Sequence, residues 1–238
     1  MDDPVIRYFE EQLPTYSTAR LGPAAAWIAD HLGPQVSLVD VGCGSGNTLE
    51  YLRSRTGIRD VVGVDPSPAM LRLTAERLGC STHRASVLQA DLQERLGRSF
   101  DVAVMSAVLH HLVGRTRRAS RWLAGRAMGN ALRLVRPGGY LVVVEPVFYP
   151  AAAMTAVFYL KQAVATVFPH RVGILGRWNN IGAPVVSYLT IEELSAMAES
   201  SGGRVVALES LECRLHWLVR LCGVRRRYDT TLVVQRQT

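Results

Sequence analysis

The sequence predicts an α/β fold built on a mostly parallel sheet of seven strands, with helices on both faces. Three observations carry that expectation. Short apolar strands alternate with helical patterns from residue 36 to residue 144, as they do where a parallel sheet is buried on both sides. A turn with glycine at alternate positions, Gly42, Gly44 and Gly46, joins the first strand of that series to its helix. Two further strand patterns, 204–210 and 230–234, close the chain as an antiparallel pair.

A chain of 238 residues suits one domain with a sizeable core. Apolar content of 48% with 20% charged residues is that of a globular protein and excludes disorder. The start, Met1-Asp2-Asp3-Pro4, is acidic where a secretory leader would be basic and then apolar. Cys43, Cys80, Cys213 and Cys222 are scattered without a Cys-x-x-Cys pair, so they read as reduced thiols of a cytoplasmic protein. The formal charge of +7 raises the question of a nucleic-acid partner. Lys161 is the only lysine among 27 basic residues, which, with so much alanine, glycine and valine, reads as the coding bias of a GC-rich bacterial genome. The charge therefore argues only weakly for nucleic acid.

Residues 2–32 hold two helical patterns, broken at Pro14 and at Gly22-Pro23. The first strand, 37–41, runs into the glycine turn, and a helix follows at 47–56. Glycine has no Cβ, so such a turn can bend sharply and let a ligand lie against its backbone. The second strand, 61–64, leads to Asp65, 19 residues beyond Gly46, where a ribose-binding carboxylate is expected in nucleotide-binding units. A helix at 68–78, a strand at 82–85, a short turn around Leu92, a strand at 102–106, a helix at 119–135 and a strand at 140–144 complete the alternation. Arg115, Arg117, Arg118, Arg121 and Arg126 lie before and along the fourth helix and read as a solvated face rather than a phosphate site.

Beyond Pro146 the alternation stops. Residues 151–168 are apolar nearly all round, broken only by Lys161 and Gln162, and fall short of the ~20 residues a membrane span needs. Such a helix is buried, packs on a partner, or covers an apolar ligand. Thr190, with Glu193 three residues on, marks the start of a helix. Arg225-Arg226-Arg227 falls in the turn region of the closing pair.

Five stretches in order, Val39-Asp40-Val41-Gly42-Cys43-Gly44-Ser45-Gly46, Gly63-Val64-Asp65-Pro66-Ser67, Ala90-Asp91-Leu92, the run from Phe100-Asp101 to His110-His111-Leu112, and Leu134-Val135-Arg136-Pro137-Gly138-Gly139-Tyr140, resemble the motif series of class I S-adenosylmethionine-dependent methyltransferases. The likeness covers about 36–145 and is nearest to the small-molecule branch of natural-product and ubiquinone-type enzymes. A dinucleotide-binding domain would carry Gly-x-Gly-x-x-Gly, from which this turn departs. The resemblance implies a single Rossmann-like domain with a helical lid at 1–34, a cofactor-binding core at 35–145, an apolar helical cap over the substrate site at 146–186, and a closing helix and strand pair at 187–238. It implies S-adenosylmethionine as cofactor and S-adenosylhomocysteine as product.

On the same resemblance, backbone N–H groups around Gly44 and Gly46 would meet the methionine carboxylate at a helix start, and Gly42 and Cys43 of the same turn belong to the cofactor site. Asp65 would take the ribose hydroxyls, Asp91 the adenine amino group, and the Leu92 N–H a ring nitrogen. Pro66 and Met70 would pack on adenine, Asp40 would order the loop and the cofactor's amino group, and Ser106 would end its strand beside the methyl donor. Tyr8 and Tyr16 of the lid and Phe158 of the cap are the substrate-side candidates, with packing as the other reading of each.

Methyl transfer is an in-line displacement from a sulfonium; it needs alignment, and often removal of a proton from the acceptor. His110 and His111 stand where the fourth strand gives way to a helix, and two adjacent side chains cannot both face one point. His111 matches the pocket histidine of the small-molecule enzymes and is the expected base, with His110 packing outside. Glu145, ending the fifth strand, is the second candidate acid or base; a structural hydrogen bond is its other reading.

The expected reaction is methylation of a small, largely apolar acceptor, oxygen ahead of nitrogen or carbon, in bacterial secondary metabolism. Methylation of a quinone, lipid or amine, RNA methylation, and non-catalytic cofactor binding are the alternatives. Nucleobase amine enzymes usually carry Asn/Asp-Pro-Pro-Tyr/Phe after the fourth strand, where Met105-Ser106-Ala107-Val108 stands here, and no Pro-Cys nucleophile occurs. No basic stretch is interleaved with aromatics for stacking on bases. The six histidines show no metal-ligand spacing, so no metal is expected. Contact of the cap with a membrane surface stands as its second reading, and no pattern fixes the oligomeric state.

Overall fold

A computed structural model describes residues 18–167, 185–215 and 217–237. After a 3-10 turn at Thr18–Leu21, helix α1 (Gly22–His31) leads to strand β1 (Ser37–Val41), α2 (Asn47–Thr56), β2 (Asp60–Asp65), α3 (Pro68–Leu78), β3 (Ser81–Arg84), α4 (Leu92–Leu96) and β4 (Phe100–Ser106). A 3-10 turn at Leu109–His111 then precedes α5 (Arg117–Leu134), β5 (Val135–Tyr149), α6 (Ala151–Val167), α7 (Ile191–Ser200), β6 (Gly203–Glu212), α8 (Trp217–Leu221) and β7 (Arg226–Arg236).

The seven strands form one sheet in the order β3-β2-β1-β4-β5-β7-β6. The first five run parallel, and β7 pairs antiparallel with both β5 and β6. Strand order reverses between β1 and β4, and at such a reversal helices leave the sheet on opposite faces and open a crevice at the carboxyl ends. Alternate residues of β1 divide the core accordingly. Val39 and Val41 pack with Met105, Met128 and Leu141 on one face, and Leu38 packs with Ile28, Leu49 and Val102 on the other. The second N-terminal pattern is thus α1, which buries Ala24, Ala25 and Ile28 against the sheet.

Local chemistry sets the helix starts. The Ser67 hydroxyl accepts from Met70 N at 3.2 Å, and Thr116 Oγ1 from Ala119 N at 3.1 Å. Thr190 and Glu193 form the reciprocal capping box expected from their spacing.

The fifth strand differs from the expected 140–144. It runs on to Tyr149 because β7 stays paired with it as far as Tyr149↔Arg226. Pro146 is tolerated there because β4 has already ended at Ser106↔Val144, so its missing N–H costs no bond on that side. For the same reason Arg226 and Arg227, expected in a turn, open β7, with Arg227 opposite Phe148. Helix α6 begins just beyond Pro150 and, with Phe148, Val219 and Val224, buries Met154 in a small separate core. Tyr8, Tyr16 and residues 168–184 lie outside the described residues.

Candidate active site

The crevice at the strand-order reversal opens beside the glycine turn. Gly42, Gly44 and Gly46 have φ of 82°, 52° and 84°, a region open to glycine at no steric cost. Space matters as well at Gly42, where a Cβ would lie 2.5 Å from Val108 Cγ2. At Gly44 a Cβ would meet nothing within 4 Å, so the missing side chain leaves backbone open for a ligand to approach.

The turn's N–H groups correct one expectation. Gly42 N and Cys43 N donate to Val64 O at 2.7 and 3.0 Å, Gly46 N donates to Cys43 O at 2.9 Å, and Gly44 N donates to Asp65 Oδ2 at 2.9 Å. All four donors are engaged within the protein, three of them stitching the turn to the end of β2 and the fourth closing the turn on itself. What these residues offer a ligand is close approach.

Asp65 is positioned by that stitching. Its Oδ1 accepts from Ser67 N at 2.8 Å while Oδ2 accepts from Gly44 N, so two backbone groups fix the carboxylate at the mouth of the crevice. Beneath it Asp40, level with Val104 of β4 and Gly63 of β2, is fully buried, and neither of its carboxylate oxygens has a hydrogen-bond partner. Burial, and then the charge of Asp65, push its pKa up to about 8. The buried Cys43 thiol is pushed up by the same burial and by both acids, and it lies beneath Gly63, whose Cβ would come within 2.9 Å of Sγ. Ser106, ending β4, is buried with its hydroxyl unpartnered. Met70 is buried and Pro66 half-buried just beyond Asp65.

Asp91 stands at the surface at the start of α4. Its side chain is 48% exposed, and its carboxylate bonds Arg95 Nε at 2.7 Å one turn along α4, which holds its pKa below the usual carboxylate range. Leu92 puts its side chain into the main core beside Phe100 and Leu96.

The two histidines divide as their adjacency requires. His110 is buried with Nδ1 2.7 Å from Glu145 Oε2. Oε1 of the same carboxylate accepts from Val108 N at 2.7 Å and Leu109 N at 2.6 Å. Since the carboxylate is the acceptor throughout, the proton of His110 sits on Nδ1. Glu145 thus bonds His110 and the turn after β4. That turn begins at Ala107, a non-glycine residue at φ 57°, which the surrounding bonds must hold in place.

His111 is half-buried, its ring 4.0 Å from that of His110 and tilted by 41°. Its pKa is held well below the ordinary value by burial, and then by His110, Arg20 and Lys161. Arg20 belongs to the turn before α1 and Lys161 to α6, so His111 stands between the N-terminal segment and the cap helix. Phe158 faces inward from α6 and is 1% exposed.

Three residues join the site without a signal in the sequence. Thr74 Oγ1 donates to Gly44 O at 2.8 Å and braces the turn from α3. The Tyr188 ring stacks on His110 at 5.1 Å and 22°, and burial pushes its pKa up to about 12. Arg117, expected on a solvated face, is 3% exposed and bonds Ser187 Oγ and Tyr188 O, while Ser187 N donates to His110 O at 2.8 Å. Arg115, Arg118 and Arg126 are exposed as expected. Among the described residues no cluster of His, Cys, Asp or Glu is arranged to hold a metal.

Comparison with known proteins adds the following. The family described as a methyltransferase domain matches residues 39–141. The chain is 32% identical over 164 residues to an uncharacterized methyltransferase of Emericella nidulans, covering 59% of this chain and 54% of that one. It is 34% identical over 115 residues to the dTDP-3-amino-3,4,6-trideoxy-alpha-D-glucopyranose N,N-dimethyltransferase of Streptomyces venezuelae, covering 48% and 44%. The chain thus spans about half the length of these curated relatives. Among solved structures, magnesium protoporphyrin IX methyltransferase of Synechocystis with bound S-adenosylmethionine shares the fold at a TM-score of 0.61 and 14% identity, over 100% of this chain and 98% of that one.

Proposed function

We propose that this chain, whose residues 39–141 match a methyltransferase domain, is a class I S-adenosylmethionine-dependent methyltransferase that transfers a methyl group to a small, largely apolar acceptor, with a hydroxyl oxygen as the favoured position. The observation that carries this reading is Asp40, a fully buried carboxyl group with both oxygens unpartnered under a glycine turn. An unpartnered buried acceptor is costly, and burial together with the nearby charge of Asp65 disfavours its ionised form. A ligand ammonium answers both. Beside it, Asp65 is already oriented to accept from a pair of hydroxyls, and Gly44 leaves the backbone bare. S-adenosylmethionine carries both an ammonium and a ribose, and the residues present fit it.

When bound, the cofactor supplies an electrophilic methyl group on a sulfonium centre. The protein's part is to align, to exclude water and to take a proton. Asp40 and Asp65 hold and orient the donor. His111, kept neutral, accepts the proton of an acceptor hydroxyl, and His110, locked by Glu145, backs the ring of His111. Helix α6 turns Met154 and Phe158 inward, and an apolar cap of this kind suits an acceptor with an apolar body. The Streptomyces relative, named for a sugar amine, supports a small acceptor, and we place the reaction in bacterial secondary metabolism.

The test is a mass-spectrometric screen of the purified protein with S-adenosylmethionine against pooled hydroxylated and aminated metabolites. A gain of one methylene on a hydroxylated apolar compound, with S-adenosylhomocysteine formed in equal amount, is the expected result. Cofactor binding with no product from any pool would make the chain a binding protein.

A further inference from the structure

Between Glu212 and Asp229 the chain carries five arginines and no acidic residue. This stretch joins β6 to β7 as an excursion through α8. It returns to the sheet where Arg225 N donates to Tyr149 O at 2.7 Å and Arg226 pairs with Tyr149. The excursion therefore stands at the carboxyl end of β5, the end at which Glu145 and His110 lie. Its inner side is packed: Val219 and Val224 are buried with Met154 of α6. Its outer side carries Trp217, 61% exposed, and Leu221, 74% exposed, four residues apart on one helix. Arg214, Arg220, Arg225 and Arg226 are all exposed around them. The helix it packs on, α6, has no acidic residue either.

We propose that this surface docks the protein on an anionic lipid bilayer, with Trp217 and Leu221 entering the interface and the four arginines meeting lipid headgroups. Two properties select a bilayer over a soluble polyanion. Tryptophan settles at the headgroup level of membranes, and an exposed leucine amid cations gains only by entering an apolar phase. Arginines attract a surface of opposite charge, each contributing about fivefold in affinity at an anionic membrane. No described helix is long and apolar enough to cross a membrane, so the contact is peripheral. Docking by this face would bring the mouth of the site to the lipid.

Flotation of the full chain with phosphatidylglycerol–phosphatidylcholine vesicles tests this, with pure phosphatidylcholine vesicles and heparin as comparisons. Binding to the anionic vesicles should exceed that to neutral ones and weaken as salt rises. Leu221→Asp and Trp217→Ala should each lower it by several fold, and Arg220→Glu with Arg225→Glu by at least about twentyfold. Thermal unfolding and cofactor affinity should stay at wild-type values, which separates a lost surface from a lost fold or a failed active site. No flotation by the wild type, variants that float like it, or binding to heparin without preference for anionic vesicles would each overturn the proposal; the last would point to a soluble polyanion.

Discussion

Glu145 of β5 and His110 of the turn after β4 form a buried pair, Oε2 to Nδ1 2.7 Å apart, and the same carboxylate closes the turn through Val108 N and Leu109 N. One side chain thus fixes a backbone with an unusual residue at Ala107 and the ring that supports His111. Removing it strands three donors, Leu109 N and His110 Nδ1 buried and Val108 N partly so. Glu145→Ala should cost at least about 3 kcal/mol of stability, taking 1–3 kcal/mol for each unsatisfied buried group. Glu145→Gln should cost less, since its amide oxygen still meets the two N–H groups while its NH₂ faces Nδ1 and forces the other tautomer. Urea denaturation of the three proteins checks the order.

Asp40 gives the unliganded protein a pH dependence. Its carboxyl titrates near 3.9 in an unfolded chain and near 8 in the fold. Between these values the unfolded state loses a proton that the folded state keeps. Stability is therefore full below about pH 4 for this group and declines as pH rises toward 8, by a few kcal/mol in all. Asp40→Asn cannot ionise and should remove that slope. Thermal unfolding from pH 5 to pH 8, compared between the two proteins, measures it; parallel curves would mean that Asp40 already has a partner.

His111→Ala should lower turnover by about a hundredfold or more while leaving cofactor affinity nearly unchanged, the scale of a lost general base. The pKa of His111 lies below the ordinary histidine value, so the neutral, proton-accepting form persists to lower pH. The acid limb of the wild-type rate profile should accordingly fall below pH ~6.5. A variant that keeps the rate and the profile would leave catalysis to alignment alone.

Phe158→Ala removes a fully buried ring from α6 and should cost about 3–5 kcal/mol. Phe158→Leu keeps most of the volume, and in that variant KM for the acceptor should rise more than the Kd of the cofactor. Steady-state kinetics beside calorimetry distinguishes a cap over the acceptor from a helix that only packs.

Much of this was legible in the sequence. Six of the seven strands follow from apolar runs and β3, which is Ser-Thr-His-Arg, only from its place in the alternation; the capping box at Thr190 follows from two residues at the right spacing. Asp40, Asp65 and the glycine turn could be singled out because their pattern is local. The rest depends on contacts distant in the chain. That Glu145 belongs to His110 rather than His111 is decided by the register of β5 against β4, which no pattern reports. Arg117 looks like its exposed neighbours and differs only because residues 187 and 188 return across it. Asp91 matches a motif but sits half-exposed, where Arg95 one helical turn on takes its carboxylate. The length of β5 hid behind Pro146, which forbids a central strand only while both neighbours are present.

The most direct test is calorimetric titration of S-adenosylhomocysteine into the wild type and into Asp65→Ala. Asp65 is buried and braced by Gly44 N and Ser67 N, and charge-assisted bonds to two ribose hydroxyls are worth roughly 1.5–3 kcal/mol each. The wild type should bind, and the variant should bind at least about tenfold more weakly. A wild type that takes up no ligand, or a variant of equal affinity, would contradict a cofactor site at the reversal between β1 and β4.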